Sequence, residues 1–198
     1  MESPFYVELL SSSMNSYELK KFRVQHDETQ LTNYLCKIAK KHQKENLNKI
    51  YLVRQRTSNS LVAWFALKAA TLPYNDKDEV FLTPAIEMTH FAVDERYKII
   101  TDDENSMKTG EFIFWNHILE TAKEAAQKIA CKDLFIFAID TPKLVNYYKT
   151  RLCFRELENI EDKNFFEYAE PDYDDSCIRT GYLTKIEDPS ESKIAVNA

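Results

Sequence analysis

The chain has 198 residues, a length that suits one domain, since domains carry roughly 100–200 residues. Hydrophobic residues make up 44% and aromatic residues 13%, enough to bury a proper core. The formal charge of −6 repels a nucleic-acid backbone on average and leaves only a local basic face able to bind one.

The longest apolar runs, "LVAWFAL" and "LFIFAI", fall far short of the ~20 residues that a membrane-spanning helix needs. The N-terminus, "MESPFYVELL", places Glu2 and Glu8 where a secretion signal carries cations. A cytoplasmic protein with no membrane partner is the expectation. Cys36, Cys131, Cys153 and Cys177 are scattered and read as reduced thiols. His26, His42, His90 and His117 stand singly, without the spacing of metal ligands, so no metal is expected. Glycine is scarce: average usage of ~7% predicts about 14, and the chain has only Gly110 and Gly181. Where the fold needs positive φ, Asn, Asp or a longer loop must supply it.

In chain order, "FYVELL" reads as a first strand. "DETQLTNYLCKIAKKHQ" follows, with Leu31, Tyr34, Leu35, Ile38 and Ala39 on one face of a single helix and Asp27 as its cap. Its continuation, "CKIAKKHQKENLNK", carries Lys37, Lys40, Lys41 and Lys44, the one basic face, for which a solvated helix surface is the favoured explanation. "NKIYLVRQR" and "LVAWFALKAAT" joined by "TSNS" form a hairpin. "LPYNDKDEVFLTPA" is expected to be a loop bounded by Pro73 and Pro84.

"IEMTHFAV" (86–93) is apolar enough for a central strand. From Glu111 to Ala130, Phe114, Ile118, Ala122, Ala125 and Ile129 recur at helical spacing while Glu120, Lys123, Glu124 and Lys128 face water. "DLFIFAI" (133–139) is a buried strand. "TPKLVNYYKTRL" is a helix capped by Thr141 with Pro142 at its first position. "NFFEYAEP" and "CIRTGYLTKI" are late strands, and residues 188–198 a loose tail after a single domain over 1–187. A hairpin followed by a strand–helix–strand unit implies an α/β mixed sheet with helices on both faces.

The words "IEMTHFAVDERY", the helix, "LFIFAID" and "KLVNYYKTRLCF", in that order, resemble the GNAT superfamily of N-acetyltransferases. The similarity covers roughly residues 22–185 and is nearest the bacterial branch that includes toxins acetylating aminoacyl-tRNA. It implies acetyl-CoA as co-substrate, lying where two parallel central strands, 86–93 and 133–139, splay apart. Backbone groups of Phe91, Ala92 and Val93 would pair with the pantetheine arm. The pyrophosphate would rest at the start of the long helix, where unpaired N–H groups and the dipole favour anions.

The family's phosphate loop is matched poorly. Gly110 takes its last position, Lys108 stands at a glycine, Asn105 at the arginine or glutamine, and Thr109 and Glu111 complete the turn. The joint is also longer than usual and carries the acidic run "DDEN". Lys108, Thr109 and one glycine at a helix start still make an anion site; a helix start with no ligand is the competing reading.

Tyr148 matches the tyrosine that in relatives protonates the departing thiolate, a suitable task for a phenol of pKa ~10. Cys153 replaces the glycine before Phe154, a departure that bears on the helix end. For the base, Glu87 is the strand carboxylate that relatives favour, and His90, three residues on, is the other candidate, equally readable as a core histidine. The resemblance implies acetyl transfer to a primary amine by direct attack in a ternary complex. The acceptor is a small-molecule or peptide amine, or aminoacyl-tRNA; a homodimer is left open. The alternative is a GNAT-shaped binding module that has lost the chemistry.

Overall fold

The first strand, β1 (Phe5–Leu9), pairs antiparallel with β2 (Lys49–Gln55), from Phe5 opposite Gln55 to Leu9 opposite Tyr51. The computed structural model describes residues 2–25, 27, 30–76, 79–98, 107–139, 141–156 and 177–185. They fall into two compact units, one of Met1–Lys68 with Met88–Ile118 and one of Ala69–Glu87 with Leu119–Ala198.

In the first unit, β2 turns back into β3 (Leu61–Asp76) as the expected hairpin, with Lys49 opposite Leu67 and a bulge between Val53 and Arg54. Three short helices precede β2: α1 (Ser16–Leu19), α2 (Leu31–Lys37) and α3 (Ala39–Lys44). The single helix expected over this segment is thus two, broken at Ile38, whose φ of −109° leaves the helical range. Asp27 does cap, but from a distance: its carboxylate accepts from the N–H groups of Leu31 (2.6 Å) and Thr32 (2.8 Å). Leu19, Phe22, Tyr34, Leu35 and Ala39 close on Ile50, Leu52, Trp64, Ala66 and Ala92 as one buried cluster. Burying such side chains is worth about 1.5–3 kcal/mol each.

Arg54 stitches this unit together. Its guanidinium, nearly fully buried, pairs with Glu8 of β1 and Glu18 of α1 and donates to the carbonyl of Asn59 at 2.8 Å. The hydrogen bonds from Arg54 hold the Glu18 carboxyl below the usual range. An unpaired buried guanidinium would be costly, so the three acceptors explain why a cation is tolerated there.

The proline-bounded segment is not a loop. β3 runs to Asp76 and β4 (Glu79–Val93) starts three residues later, so Pro73 and Pro84 lie within strands. Proline is tolerated in a strand where its missing N–H faces away from a partner. Val80, Phe81 and Leu82 supply the strand propensity that the proline count concealed.

In the second unit β4 pairs with β5 (Asp133–Ile139), and β5 pairs antiparallel with β7 (Cys177–Lys185), which takes β6 (Arg155–Glu156) on its other edge. β4 and β5 are parallel, so the sheet is mixed; its hydrogen-bonded order is β1-β2-β3-β4-β5-β7-β6. Buried Leu134, Phe135, Ile136 and Phe137 make β5 the apolar strand the sequence implies. The long helix begins at Thr109, two residues before the expected start: α4 (Thr109–Ile113) and a π-turn (Phe114–Ile118), both of the first unit, run directly into α5 (Leu119–Ile129) of the second. α6 (Pro142–Arg151) opens with Thr141 and Pro142 as expected, though the Thr141 side chain makes no capping bond. The strand expected at "NFFEYAEP" and the tail 188–198 lie outside the described residues.

Among the described residues, five non-glycine residues have positive φ: Gln30, Asn46, Asn59, Ala130 and Cys153. Two are the asparagines that scarcity of glycine predicts; neither glycine has positive φ. Ala130, at φ 57°, sits just past α5 in the place glycine usually fills. Ala130→Gly should relieve its Cβ and add about 1 kcal/mol, a rise of about 2–4 °C in melting temperature. An unchanged or lower melting point in calorimetry would contradict this.

Candidate cofactor and catalytic site

β4 pairs with β5 through three registered positions: Ala85 with Asp133, Ile86 with Leu134 and Glu87 with Phe135. Among the described residues the parallel register ends there, although β4 continues to Val93 and β5 to Ile139. Phe91, Ala92 and Val93 lie on the part of β4 that follows the last registered pair. Ala92 is buried in the first unit's core, and Phe91 and Val93 are half-buried.

The chain beyond Val93 is fixed by Asp94. Its N–H donates to the Val62 carbonyl at 2.8 Å, and its fully buried carboxylate accepts from the N–H groups of Arg23 (3.2 Å) and Arg96 (3.0 Å). The Arg96 guanidinium adds two bonds, of 2.7 and 2.9 Å. Burial alone would raise the Asp94 carboxyl's pKa; the bonds from Arg96 and Arg23 outweigh it and hold the group below its ordinary value. Sequence reading missed this pin, although Asp94 and Arg96 in "VDER" were its visible signal.

The helix start is tied to the same point. The Thr109 hydroxyl donates to the carbonyl of Tyr97, in the 3₁₀ turn Glu95–Tyr97 that Asp94 caps. Thr109 is fully buried, so its hydroxyl is engaged within the chain and offers a ligand only its backbone N–H. Lys108 is exposed and extended, at φ −71° and ψ 154°, and makes no side-chain capping bond. Gly110 and Glu111 complete the first turn, with the Glu111 side chain buried. Asn105 and the acidic run 102–105 lie outside the described residues. The first unit thus brings two of the expected cofactor stretches, 91–93 and 108–111, to either side of one braced turn.

In the second unit Glu87 is buried in the last registered pair of β4 with β5. Tyr148 is half-buried on α6, its ring edge-on to Phe154 at 5.9 Å and 6.1 Å from Tyr147. Cys153 takes φ 55°, the left-handed conformation a glycine would adopt, and the Phe154 N–H reaches back to the Tyr148 carbonyl at 3.0 Å. The helix end therefore survives the loss of glycine, with Phe154 packed beside Tyr148.

A string of polar side chains, invisible in the sequence, runs through the first unit's core. His90 Nδ1 lies 2.9 Å from Thr89 Oγ1, Thr89 Oγ1 is 3.1 Å from Asn48 Oδ1, and Asn48 Nδ2 is 2.9 Å from the Tyr34 hydroxyl. The hydroxyl lies 3.0 Å from His42 Nδ1. The His90 ring stacks on Tyr34 at 3.8 Å and on Trp64 at 5.6 Å. Four separate elements contribute, so no local spacing could announce it.

On the surface of α1–α3, Lys37, Lys41 and Lys44 are exposed, as a basic face requires. Lys40 is not part of it: its ammonium bonds the Met14 carbonyl and lies 3.4 Å from Ser16 Oγ. Lys20 and Lys21 join the exposed cations, Lys21 lying over the exposed Tyr17 ring at 4.5 Å.

No family model and no curated protein matches the sequence. Solved structures do match the fold. A tyrosine-to-phenylalanine mutant of the toxin AtaT, bound to the C-terminus of the antitoxin AtaR and acetyl-CoA, is 13% identical with a TM-score of 0.61, over 99% of this chain and 100% of that one. A tyrosine-to-phenylalanine mutant of KacT is 14% identical with a TM-score of 0.64, covering 98% and 99%. AtaT complexed with acetyl-methionyl-tRNAfMet is 14% identical with a TM-score of 0.63, again covering 98% and 99%. At such identities the likeness shows the fold, a GNAT fold spanning nearly the whole chain. No helix among the described residues is long and apolar enough to cross a membrane.

Proposed function

From the GNAT fold as premise, we propose that this chain transfers the acetyl group of acetyl-CoA to a primary amine, by direct attack within a ternary complex. The observation that carries the reading is the end of the β4–β5 register at Glu87, with six further residues of β4 left to meet a ligand. The amide groups of Phe91–Val93 would bond the pantetheine arm as an added strand does. The N–H groups of Thr109, Gly110 and Glu111, with the exposed Lys108 ammonium, would hold the diphosphate. Neutralising it needs charge rather than glycines, and Lys108 supplies what the family's loop obtains from its arginine.

The amine nitrogen attacks the thioester carbon; the C–N bond forms and the C–S bond breaks. The Tyr148 phenol protonates the departing thiolate and is replenished by the proton that the attacking nitrogen sheds. Before attack an ammonium must lose a first proton, and Glu87 and His90 are the strand residues with that capacity.

For the acceptor we propose the amino group of an aminoacyl-tRNA. AtaT in complex with acetyl-methionyl-tRNAfMet has this fold. The exposed lysines of α1–α3 with Tyr17 form a basic, aromatic-bearing surface on an otherwise acidic chain. Incubating the protein with radiolabelled acetyl-CoA and bulk aminoacylated tRNA, against uncharged tRNA, tests the assignment. Label should appear on charged tRNA alone. Label on free amino acids or small amines instead would move the acceptor to a small molecule. No CoA binding would leave a GNAT-shaped binding module.

A further inference from the structure

We propose that Asp94 is a positioning residue for the cofactor: its carboxylate ties the turn after β4 to Arg23, and through that tie the two proposed CoA-binding stretches, 91–93 and 108–111, are held in place. This rests on the acetyl-CoA reading and deepens it by naming what sets the cofactor turn.

The carboxylate is saturated. A carboxylate offers about four acceptor sites. Oδ1 takes the Arg96 N–H at 3.0 Å and Arg96 Nε at 2.7 Å, and Oδ2 takes the Arg23 N–H at 3.2 Å and Arg96 Nη2 at 2.9 Å. No acceptor site is left for a substrate, so Asp94 acts through the groups it holds. Capping a single 3₁₀ turn does not require a charge, since Ser or Asn caps as well. A fully buried carboxylate is costly unless donors surround it, and here they come from both sides of the turn.

The tie to Arg23 is not local. It spans 71 residues and is doubled, because the Glu95 N–H donates to the Arg23 carbonyl at 2.9 Å. Arg23 is itself anchored: its guanidinium donates to the carbonyls of Lys20 and Phe22, the latter at 2.8 Å, and the Phe22 side chain is buried in the first unit's core.

On the other side the same four residues, 94–97, reach both cofactor stretches. Asp94 directly follows Val93, and its N–H holds that end of β4 to Val62 of β3 at 2.8 Å. The Tyr97 N–H donates to the Asp94 carbonyl at 2.9 Å, and the Tyr97 carbonyl accepts from the Thr109 hydroxyl where the long helix begins. Fixing Asp94 to Arg23 therefore fixes the turn on which Phe91–Val93 end and to which Thr109 is bonded. Binding groups held by such supporting bonds lose affinity when the support is removed.

Two measurements test this, with CoA as the probe. In the native chain, backbone amide exchange is followed by NMR with and without CoA. With CoA at about 100 times Kd, any opening that requires the cofactor turn to open is suppressed up to about 100-fold. Exchange at the Arg23 and Glu95 amides should slow about tenfold or more, although neither residue belongs to a proposed cofactor stretch. Unchanged exchange at Arg23 with CoA bound overturns this inference alone.

Asp94→Asn keeps the shape, but an amide has one accepting atom and turns N–H toward the donors of the other. CoA Kd and the KM for acetyl-CoA should rise about tenfold, with bulk aminoacylated tRNA as acceptor. At saturation kcat should stay within about threefold of native, and the CoA-dependent slowing at Arg23 should disappear. A merely structural role would lower the melting point and leave CoA affinity native, which contradicts the proposal; so does a fall in kcat with affinity kept. If Asp94→Asn does not fold, exchange at Arg23 in the native chain decides. A native chain that binds no CoA sinks the acetyl-CoA reading, and this inference with it.

Discussion

Gly110→Glu is expected to make the protein more stable and unable to bind CoA. Gly110 is the second residue of a helix and has no positive φ, so its backbone does not require glycine. Replacing it should recover about 0.5–1 kcal/mol of chain entropy. A carboxylate in the first turn adds about 0.3–1 kcal/mol by facing the positive end of the dipole. Together these predict a melting point about 2–8 °C higher. The same carboxylate would stand where the diphosphate is proposed to lie, as a Cβ against the phosphates and as a like charge. CoA affinity should fall about 10²-fold or more. A destabilised variant that still binds CoA would show that this glycine serves packing and that the anion sits elsewhere. Stability and binding are driven in opposite directions, so misfolding cannot mimic the result.

Tyr148→Phe is the second large effect. The phenol is half-buried on α6, and its ring is held against Phe154 by the turn at Cys153. Phenylalanine preserves both ring contacts, so stability and CoA affinity should stay near native. Removing a proton donor to a leaving thiolate should lower kcat about 10²–10³-fold. If the chain arrests growth on expression, the arrest should vanish with the hydroxyl. A Tyr148→Phe enzyme with native kcat would remove acid catalysis by this residue, leaving Tyr148 a packing ring.

Much of the fold was legible because its signals are local. β5 is seven residues with buried Leu134–Phe137, and its bounds follow from the apolar run alone. Thr141 and Pro142 announced α6 through backbone chemistry that depends on nothing distant. The errors arose where tertiary context prevailed. Pro73 and Pro84 read as loop boundaries, yet a long hairpin absorbs them because a strand tolerates proline where no partner needs its N–H. The break at Ile38 falls at no glycine or proline, so no breaker residue marked it in the sequence.

The candidate site was legible in one dimension only. Phe91–Val93, Lys108–Glu111 and Tyr148 could be named from words in order. The residues that fix them could not, because their partners are far away in the chain. Asp94 is held by Arg23, 71 residues earlier, and Asn48 meets Thr89 across 41 residues. Such bonds are set by how the sheet and helices fold back on one another, which hydrophobic periodicity does not record. Lys40 makes the same point in reverse: its charge counted toward a basic face, and its ammonium bonds Met14 instead.

The central claim, that a turn with one glycine holds the diphosphate of CoA, is met most directly by titrating the native chain with CoA in a calorimeter, with thermal denaturation alongside. The account predicts saturable binding of one CoA per chain. At ligand about 100 times Kd, binding should add ~2.7 kcal/mol and raise the melting point by roughly 5–10 °C. No heat of binding and no thermal shift at millimolar CoA would contradict it.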